Sequence, residues 1–283
     1  LTHFSNVLAL RSVEAKDPII LGTMPDEFRP IILAINGLID KHQRAVEQQK
    51  QFVSEAAHEL RTPLAALQIQ IDNLESRPDD ESRHAVLQEL SAGIRRASAM
   101  VRQLLRMARL DVLLTTGTAD IDLKELIVSV VSDFVLTSAK GGVELAMSID
   151  QTANVRVCDA DVRLLFTNLI DNAIRYTPPG GSVEVAIKQR GAATSIEIID
   201  TGTGISPLAL PRIFDRFYRA APADIEGAGL GLAIAKKIAQ RNKFQLSISN
   251  RLDRIGICAE VLIPAQTIQA GWNRDPAYGL RLS

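Results

Sequence analysis

The apolar positions of the first 112 residues recur at heptad spacing. From Val53 to Leu74 they follow one another in alternating steps of 4 and 3, and the same alternation runs from Leu87 to Ala108. The breaker Arg77-Pro78-Asp79-Asp80 separates the two runs. This pattern predicts two long helices joined by a short turn. Because each helix offers only a narrow apolar seam, we expect the hairpin to pair with a second copy in a dimeric four-helix bundle.

The pattern changes after the second run. Residues 113–119 lose the periodicity and are predicted to form a linker. Beyond them helices and strands interleave without regular strand–helix–strand alternation, which indicates an α/β sandwich with a mixed sheet. The predicted helices are Leu123 to Val135, Val162 to Tyr176 and Leu230 to Arg241, and the predicted strands are Val143 to Ile149, Val155 to Cys158, Val183 to Lys188, Ser195 to Asp200, Gln245 to Ser249 and Ile257 to Leu262. Residues 266–283 show no period and are expected to be a loose tail.

Composition and charge narrow the classes of function. Of the 283 residues, 46% are apolar and 23% charged, which is enough for one large or two ordinary domains with hydrophobic cores. The 32 basic and 33 acidic side chains leave a formal charge of −1. No overall field therefore attracts nucleic acid or an anionic membrane surface, and any polyanion must be held by a local site.

The cysteines and the apolar stretches argue against further classes of protein. Cys158 and Cys258 lie in separate apolar runs without a neighbouring Cys/His cluster, which argues against structural zinc or a disulfide framework and favours buried free thiols. The longest apolar stretch, Pro30 to Ile39, is far shorter than the ~20 residues of a membrane span. Position 1 is Leu without a basic-then-apolar leader, so we expect a piece of a longer chain.

One histidine, His58, is a candidate nucleophile. His58 follows Ala57 of the first seam and is therefore expected to face outward from the bundle. A neutral imidazole leaves one ring nitrogen free to act as a nucleophile, and Glu59 can hold the proton of the other nitrogen. Thr62 lies one turn later on the same face, and Pro63 is expected to kink the helix. The alternative for an exposed lone histidine is a solvated surface residue.

A run on the predicted helix Val162 to Tyr176 carries polar groups that suit a metal–phosphate site. Asn168 and Asn172 are four residues apart and share one helix face. Their carbonyl oxygens can bind Mg²⁺, a hard ion that completes its shell with phosphate and water, although two such amides can also cap a neighbouring loop. Arg175 lies beside them with a phosphate-binding guanidinium.

Two glycine-rich segments follow. In Asp200-Thr201-Gly202-Thr203-Gly204-Ile205 a carboxylate at a strand end can accept from an exocyclic amine while bare backbone approaches a flat ring, although such a string is often an ordinary turn. Gly227-Ala228-Gly229-Leu230-Gly231-Leu232 opens a predicted helix, whose first amides can bind phosphate. This second segment is not the dinucleotide fingerprint, and no strand immediately precedes it, so a Rossmann site is excluded.

Between the glycine segments lies Ile213-Phe214-Asp215-Arg216-Phe217-Tyr218-Arg219. Arg216 and Arg219 are candidates for contacting a bound phosphate, and surface solubility is the alternative for either. The small and polar stretch Ala220 to Glu226 is expected to act as a mobile lid.

Taken together, these segments resemble the bacterial sensor histidine kinases of two-component signalling systems. The run HELRTPL at His58–Leu64 is similar to the phospho-acceptor H box. The later runs are similar, in the expected order, to the N box (Asn168–Tyr176), the G1 box (Asp200–Ile205), the F box (Ile213–Arg219) and the G2 box (Gly227–Leu232). The resemblance implies that His58 is phosphorylated, that Glu59 activates it and that Asp200 recognises the adenine amino group. It implies ATP and Mg²⁺ as cofactors, with Asn168 and Asn172 as metal ligands. The implied nucleotide-binding residues are Asn168, Asn172, Arg175, Tyr176, Asp200, Gly202, Gly204, Arg216, Arg219, Gly227, Gly229, Leu230, Gly231 and Leu232.

The resemblance also implies a domain order. Residues 1–45 resemble part of a HAMP linker with a connector helix, 46–112 the dimerisation and histidine phosphotransfer hairpin, and 120–265 the catalytic ATP-binding domain, of the Bergerat fold shared with gyrase and Hsp90. The implied activity is transfer of the γ-phosphoryl group to His58 and then to an aspartate of a response-regulator receiver domain, together with phosphatase activity toward that regulator. The implied whole protein is a homodimer anchored in the inner membrane, with this part cytoplasmic and touching neither membrane nor nucleic acid.

Two other functions are open to such a chain. A catalytically silent ATP-binding or dimerising scaffold would lack His58, Asn172 or Asp200, and all three are present. An ATPase clamp similar to gyrase needs a water-activating carboxylate at the position of Asn168, where this chain has an amide.

Overall fold

The computed structural model of the chain describes residues 29–75, 80–112, 117–150, 153–220 and 228–267. Outside these residues lie the expected turn between the long helices, most of the 113–119 linker, most of the 1–45 segment, nearly all of the expected lid, and the tail from residue 268 onward. The chain divides into two units, of which the first ends at Ile69 and the second begins at Gln70.

Two long helices open the described structure, as the heptad pattern predicts. Helix α1 spans Arg29–Glu75 and helix α2 spans Asp80–Val112. The connector helix and the first long helix are one continuous element, and Pro63 lies inside it without ending it. Seam residues of α1 are exposed on the single chain: Val53 and Leu64 each expose 59%. None of the described helices is both long enough and apolar enough to cross a lipid bilayer.

The remaining described chain is an α/β unit with a mixed sheet, which confirms the predicted fold class. Its elements are β1 (Ala119–Asp122), α3 (Leu123–Ser132), α4 (Val135–Lys140), β2 (Glu144–Ile149), β3 (Asn154–Val157), α5 (Asp159–Tyr176), β4 (Ser182–Arg190), β5 (Ala193–Asp200), α6 (Gly231–Arg241), β6 (Gln245–Asn250) and β7 (Ile257–Ile263). The main sheet has the order β2-β4-β5-β7-β6, and only β2 and β4 pair in parallel. Strands β1 and β3 form a separate antiparallel pair.

The hydrophobic core lies between one face of this sheet and the helices. Strand β5 buries Ile196 and Ile198, and α5 and α6 bury Phe166, Ile234 and Ile238. Helices α5 and α6 pack against each other on the sheet. The packing therefore brings the asparagine run of α5 next to the glycine-rich start of α6.

The helix predicted from Leu123 to Val135 is interrupted. Helix α3 ends at Ser132, whose hydroxyl donates to the Ser129 carbonyl at 2.7 Å, and α4 begins three residues later. Such a side-chain bond competes with the helical ladder at the last turn of α3. The short strand β1 was not predicted. Its last residue, Asp122, caps α3 by accepting from the Lys124 N–H at 2.8 Å.

Candidate functional site

A cavity in the second unit collects most of the predicted nucleotide-binding residues. Its walls come from α5, the end of β5 and the start of α6, and its lining includes Asn168, Asn172, Arg175, Tyr176, Asp200, Gly204, Arg219, Gly229, Gly231 and Leu232. Three further predicted residues, Gly202, Arg216 and Leu230, are described but do not line it. Gly227 lies outside the described residues.

The cavity also has an apolar side that motif analysis did not identify. Ile198, Ile248, Ile257 and Ala259 line it from strands β5, β6 and β7. Their inward positions follow from strand alternation, so the period of these strands was the available signal. Gln103 of α2 contributes as well, and nothing in its local sequence distinguishes it. One side of the cavity can thus hold a flat apolar ring.

Asp200 ends β5 at the edge of this apolar side. Its residue surface is only 4% exposed, and burial raises the pKa of its carboxyl. The N–H groups of Gly202 and Ile257 donate to Oδ1 at 2.8 and 3.1 Å, which favours the ionised form and opposes the rise. Both of these bonds go to Oδ1. The geometry therefore suits Oδ2 as the acceptor for a ligand amino group.

Gly202 shapes the loop that follows Asp200. A Cβ at this position would lie 2.5 Å from the Tyr176 carbonyl oxygen and 3.0 Å from Asp200 Oδ1. Only glycine fits such a close approach of two backbone segments. Gly202 therefore acts by holding the loop against the end of α5.

The asparagine run of α5 faces the glycine-rich start of α6. Asn168 donates from Nδ2 to the Leu164 carbonyl at 2.7 Å. A Cβ placed on Gly231 would lie 3.1 Å from Asn168 Oδ1 and 3.5 Å from Asn172 Nδ2. The amide oxygen of Asn168 is thus turned toward the first turn of α6, where unpaired helical N–H groups favour anions.

The cationic side chains have different surroundings. Arg175 is paired with Asp171 one turn earlier, and both line the cavity. Arg219 lines it at the end of the F-box segment, whereas Arg216 is half-buried elsewhere in that segment. Arg175 and Arg219 are thus the arginines of the described residues that line the cavity.

The F-box segment is joined to the start of α6 by an unusual backbone contact. Phe217 and Gly229 have φ angles of 60° and 66°, and the Phe217 N–H donates to the Gly229 carbonyl at 3.0 Å. A Cβ on Gly229 would lie 2.6 Å from the Phe217 carbonyl carbon. Lys236 of α6 also lies 4.8 Å from the centroid of the Phe214 ring. Position 229 therefore requires glycine for two independent reasons.

We expect Gly229→Ala to lower the free energy of unfolding by about 3 kcal/mol or more, because it combines left-handed strain with a backbone clash. Gly191→Ala is the matched control: Gly191 has a φ of 62° but open space around a Cβ. It should cost only about 1 kcal/mol. Urea denaturation of both variants measures the difference. Equal losses would show that the contact with Phe217 contributes nothing.

The predicted phospho-acceptor residues lie on α1, in the first unit. His58 and Thr62 are exposed and Glu59 is half-buried. The imidazole is accordingly accessible from solvent on the single chain.

Two family models match the chain. Residues 48–112 match the His Kinase A (phospho-acceptor) domain, and residues 159–267 match the ATPase domain common to histidine kinases, DNA gyrase B and HSP90. Sensor protein QseC of Salmonella typhi is 36% identical over 253 residues, which is 88% of this chain and 56% of that protein. The chain thus spans just over half the length of such curated relatives.

Solved structures share the fold. Histidine kinase ThkA in complex with response regulator protein TrrA superposes with a TM-score of 0.66 at 20% identity, covering 80% of this chain and 65% of that one. Full-length ShkA in complex with AMPPNP gives a TM-score of 0.56 at 24% identity, covering 76% and 45%. Fold and motifs define a protein with a phospho-acceptor segment and an ATPase-type domain. With the family matches, they show that this chain belongs to the sensor histidine kinases.

Proposed function

We propose that the chain is the kinase portion of a two-component sensor: an ATP-dependent enzyme that phosphorylates its own His58 and passes the phosphoryl group to an aspartate of a response regulator. The observation that carries the proposal is the convergence of four separate motifs on one cavity, in a chain that also exposes His58. We assign residues 46–112 to dimerisation and phosphotransfer and 120–265 to catalysis.

The cavity suits an adenine nucleotide at both ends. Asp200 offers a buried carboxylate beside an apolar side, which matches an amino-substituted aromatic ring. The start of α6 offers backbone N–H groups to phosphates, with Arg175 and Arg219 nearby. The ShkA structure contains AMPPNP, an ATP analogue, which supports the same ligand class here.

The asparagine pair suits Mg²⁺ bound together with the nucleotide. Amide oxygens are hard ligands, and Mg²⁺ commonly takes few protein ligands and completes its shell with phosphate and water. Asn168 has its nitrogen committed to the Leu164 carbonyl, so Oδ1 is the atom that would bind the ion. Asn172, one turn later on the same face, would supply the second oxygen. The ion would neutralise charge on the phosphates.

In the chemical step the main task of the protein is to position His58 and the γ-phosphate relative to each other. A ring nitrogen of His58 attacks the γ-phosphorus, the bond from that phosphorus to the bridging oxygen breaks, and ADP leaves. Glu59 accepts a hydrogen bond from the N–H of the other ring nitrogen, which fixes the tautomer and strengthens the nucleophile. Exposure of His58 then allows a second acceptor, the receiver aspartate, to reach the phosphoryl group.

Dimerisation accounts for the exposed seam of α1. Val53, Leu64 and Ile71 expose 59%, 59% and 41% of their surface on the single chain. A second copy would bury these side chains in a four-helix bundle. The response-regulator partner is supported by the ThkA complex, which contains such a protein. We also propose that the whole protein is anchored in the inner membrane with this part on the cytoplasmic side.

Incubation of the chain with γ-labelled ATP and Mg²⁺ tests the proposal. Phosphorylation of histidine predicts a protein-bound label that is lost in acid and retained in base. A label stable in acid would point to a hydroxyl acceptor instead. Binding of ATP with no label would favour the scaffold, and release of labelled phosphate without labelled protein would favour the ATPase clamp.

Thr62→Ala tests a role in the reverse reaction. The Thr62 hydroxyl projects one turn after His58 from the same exposed face, where it can orient a water for attack on the phospho-aspartate of the receiver. We expect loss of most receiver dephosphorylation while autophosphorylation stays within about threefold. Thr62→Ser, which keeps the hydroxyl, is the control. An equal loss of both activities would show that Thr62 only supports the helix before Pro63.

A further inference from the structure

The hairpin between β6 and β7 holds the loop that follows Asp200. Asn250, the last residue of β6, donates from Nδ2 to the Ile205 carbonyl at 2.7 Å and accepts the Ile205 N–H at Oδ1 at 2.8 Å. A single amide side chain thus satisfies both backbone groups of one residue, as a neighbouring strand would. We call these two bonds the Asn250 clamp.

The clamp lies directly behind the cavity wall. Gly204 and Ile205 both line the cavity, and Asn250 does not. A Cβ on Gly204 would lie 3.2 Å from Asn250 Oδ1, and Asn250 lines a separate, neighbouring cavity on the other side of this loop. Asn250 therefore acts on a ligand in the first cavity through the position of residues 204 and 205.

The same hairpin also holds Asp200 itself. Ile257, at the start of β7, donates its N–H to Asp200 Oδ1 at 3.1 Å, and Arg251 Nη1 donates to the Asp200 carbonyl at 3.3 Å. The carboxyl group and the clamped end of its loop therefore share one support. The distance between the carboxylate and the glycine backbone of the loop depends on that support.

On the basis of the nucleotide site proposed above, we propose that Asn250 is a positioning residue for base recognition. The clamp holds the backbone of residues 204 and 205 against one face of the purine, so that its 6-amino group meets the Asp200 carboxylate. Loss of the clamp lets this backbone move relative to Asp200. Recognition of the amino group then weakens, while binding of the phosphates at α6 is retained.

Asn250→Asp breaks the clamp with a minimal change of shape. The carboxylate still accepts the Ile205 N–H but cannot donate to the Ile205 carbonyl, and it faces that oxygen with negative charge. The matched control is Asn242→Asp. Asn242 also donates Nδ2 to a backbone carbonyl, that of Ile238 at 2.9 Å, but it lies after α6 and outside the cavity lining. Asn250→Ser, an uncharged variant, repeats the measurement if the aspartate lowers the thermal midpoint.

The experiment measures the affinities of the full chain, with Mg²⁺, for ATP and for purine riboside triphosphate, which lacks the 6-amino group. Wild type should prefer ATP by about tenfold, because only ATP can donate a hydrogen bond from its 6-amino group to the charged Asp200 carboxylate. In Asn250→Asp we expect the ATP affinity to fall by about tenfold and the analogue affinity to change by less than about twofold, so that the preference disappears. Asn242→Asp should keep it.

Each other outcome overturns the proposal or the nucleotide site on which it rests. Equal weakening for both ligands would mean that Asn250 only stabilises the fold, and an unchanged preference would mean that the clamp does not position the loop. If wild type itself shows no preference, the assignment of Asp200 to the amino group fails, and the failure then lies in the proposed nucleotide site rather than in the role of Asn250.

Discussion

His58→Gln is expected to abolish autophosphorylation while leaving the affinity for ATP within a few-fold of wild type. Glutamine keeps a polar side chain of similar length but has no nucleophilic ring nitrogen. The nucleotide cavity is lined by residues of the second unit, whereas His58 lies in the first, so the substitution should not alter the cavity. Labelling with γ-labelled ATP and a separate measurement of nucleotide binding give the two readouts.

The chain offers a matched control for this experiment. His42 is a second exposed histidine on α1, outside the H-box run. His42→Gln changes the same residue type on the same helix and should retain labelling. Label persisting on His58→Gln at the wild-type level would overturn the assignment of the acceptor. Loss of label in both variants would point instead to a general disturbance of the helix.

Asn172→Asp is the second variant with a large expected effect. It places a carboxylate beside the start of α6, since Asn172 Nδ2 lies 3.5 Å from the Cβ position of Gly231. A fixed negative charge there opposes the nucleotide phosphates, and we expect autophosphorylation to fall by about 100-fold or more. Asp200→Asn should also impair nucleotide use, because it removes the charged acceptor at the other end of the cavity.

The proposed helical dimer should survive both changes, because the residues lie in the ATPase-type domain. Sedimentation should therefore give the same oligomeric state for both variants and wild type. Asn242→Asp adds the same charge at the far end of α6 and serves as the control. Normal labelling of Asn172→Asp would mean that the phosphates bind elsewhere than between α5 and α6.

The sequence predicted those elements and site residues whose pattern lies within one short stretch of the chain. Helix α5 was predicted from Val162 and begins at Asp159, and β5 was predicted from Ser195 and begins at Ala193, because apolar periodicity defines such elements along a short stretch. The glycine runs and the Asn168–Asn172 pair were likewise found within short stretches, from residue type and spacing. The roles of these residues remain predictions.

Features formed across the fold were not accessible to the same reasoning. The Asn250 clamp joins residues 45 positions apart, and an asparagine at a strand end is an unremarkable turn signal when read locally. The end of α3 coincides with a serine side chain that donates to a backbone carbonyl, and composition does not reveal that hydrogen bond. The apolar side of the cavity required three strands to be placed side by side.

The hydrogen bond between Phe217 and Gly229 fixes two points of the backbone next to each other, one in the F-box segment and one just before α6. The polypeptide leaves the F-box segment and returns to the start of α6 at the same point, and Lys236 over the Phe214 ring strengthens the junction. These contacts hold residues 217 and 229 together independently of the residues between them. Insertions or deletions between residues 220 and 228 are therefore expected to leave the start of α6 in place.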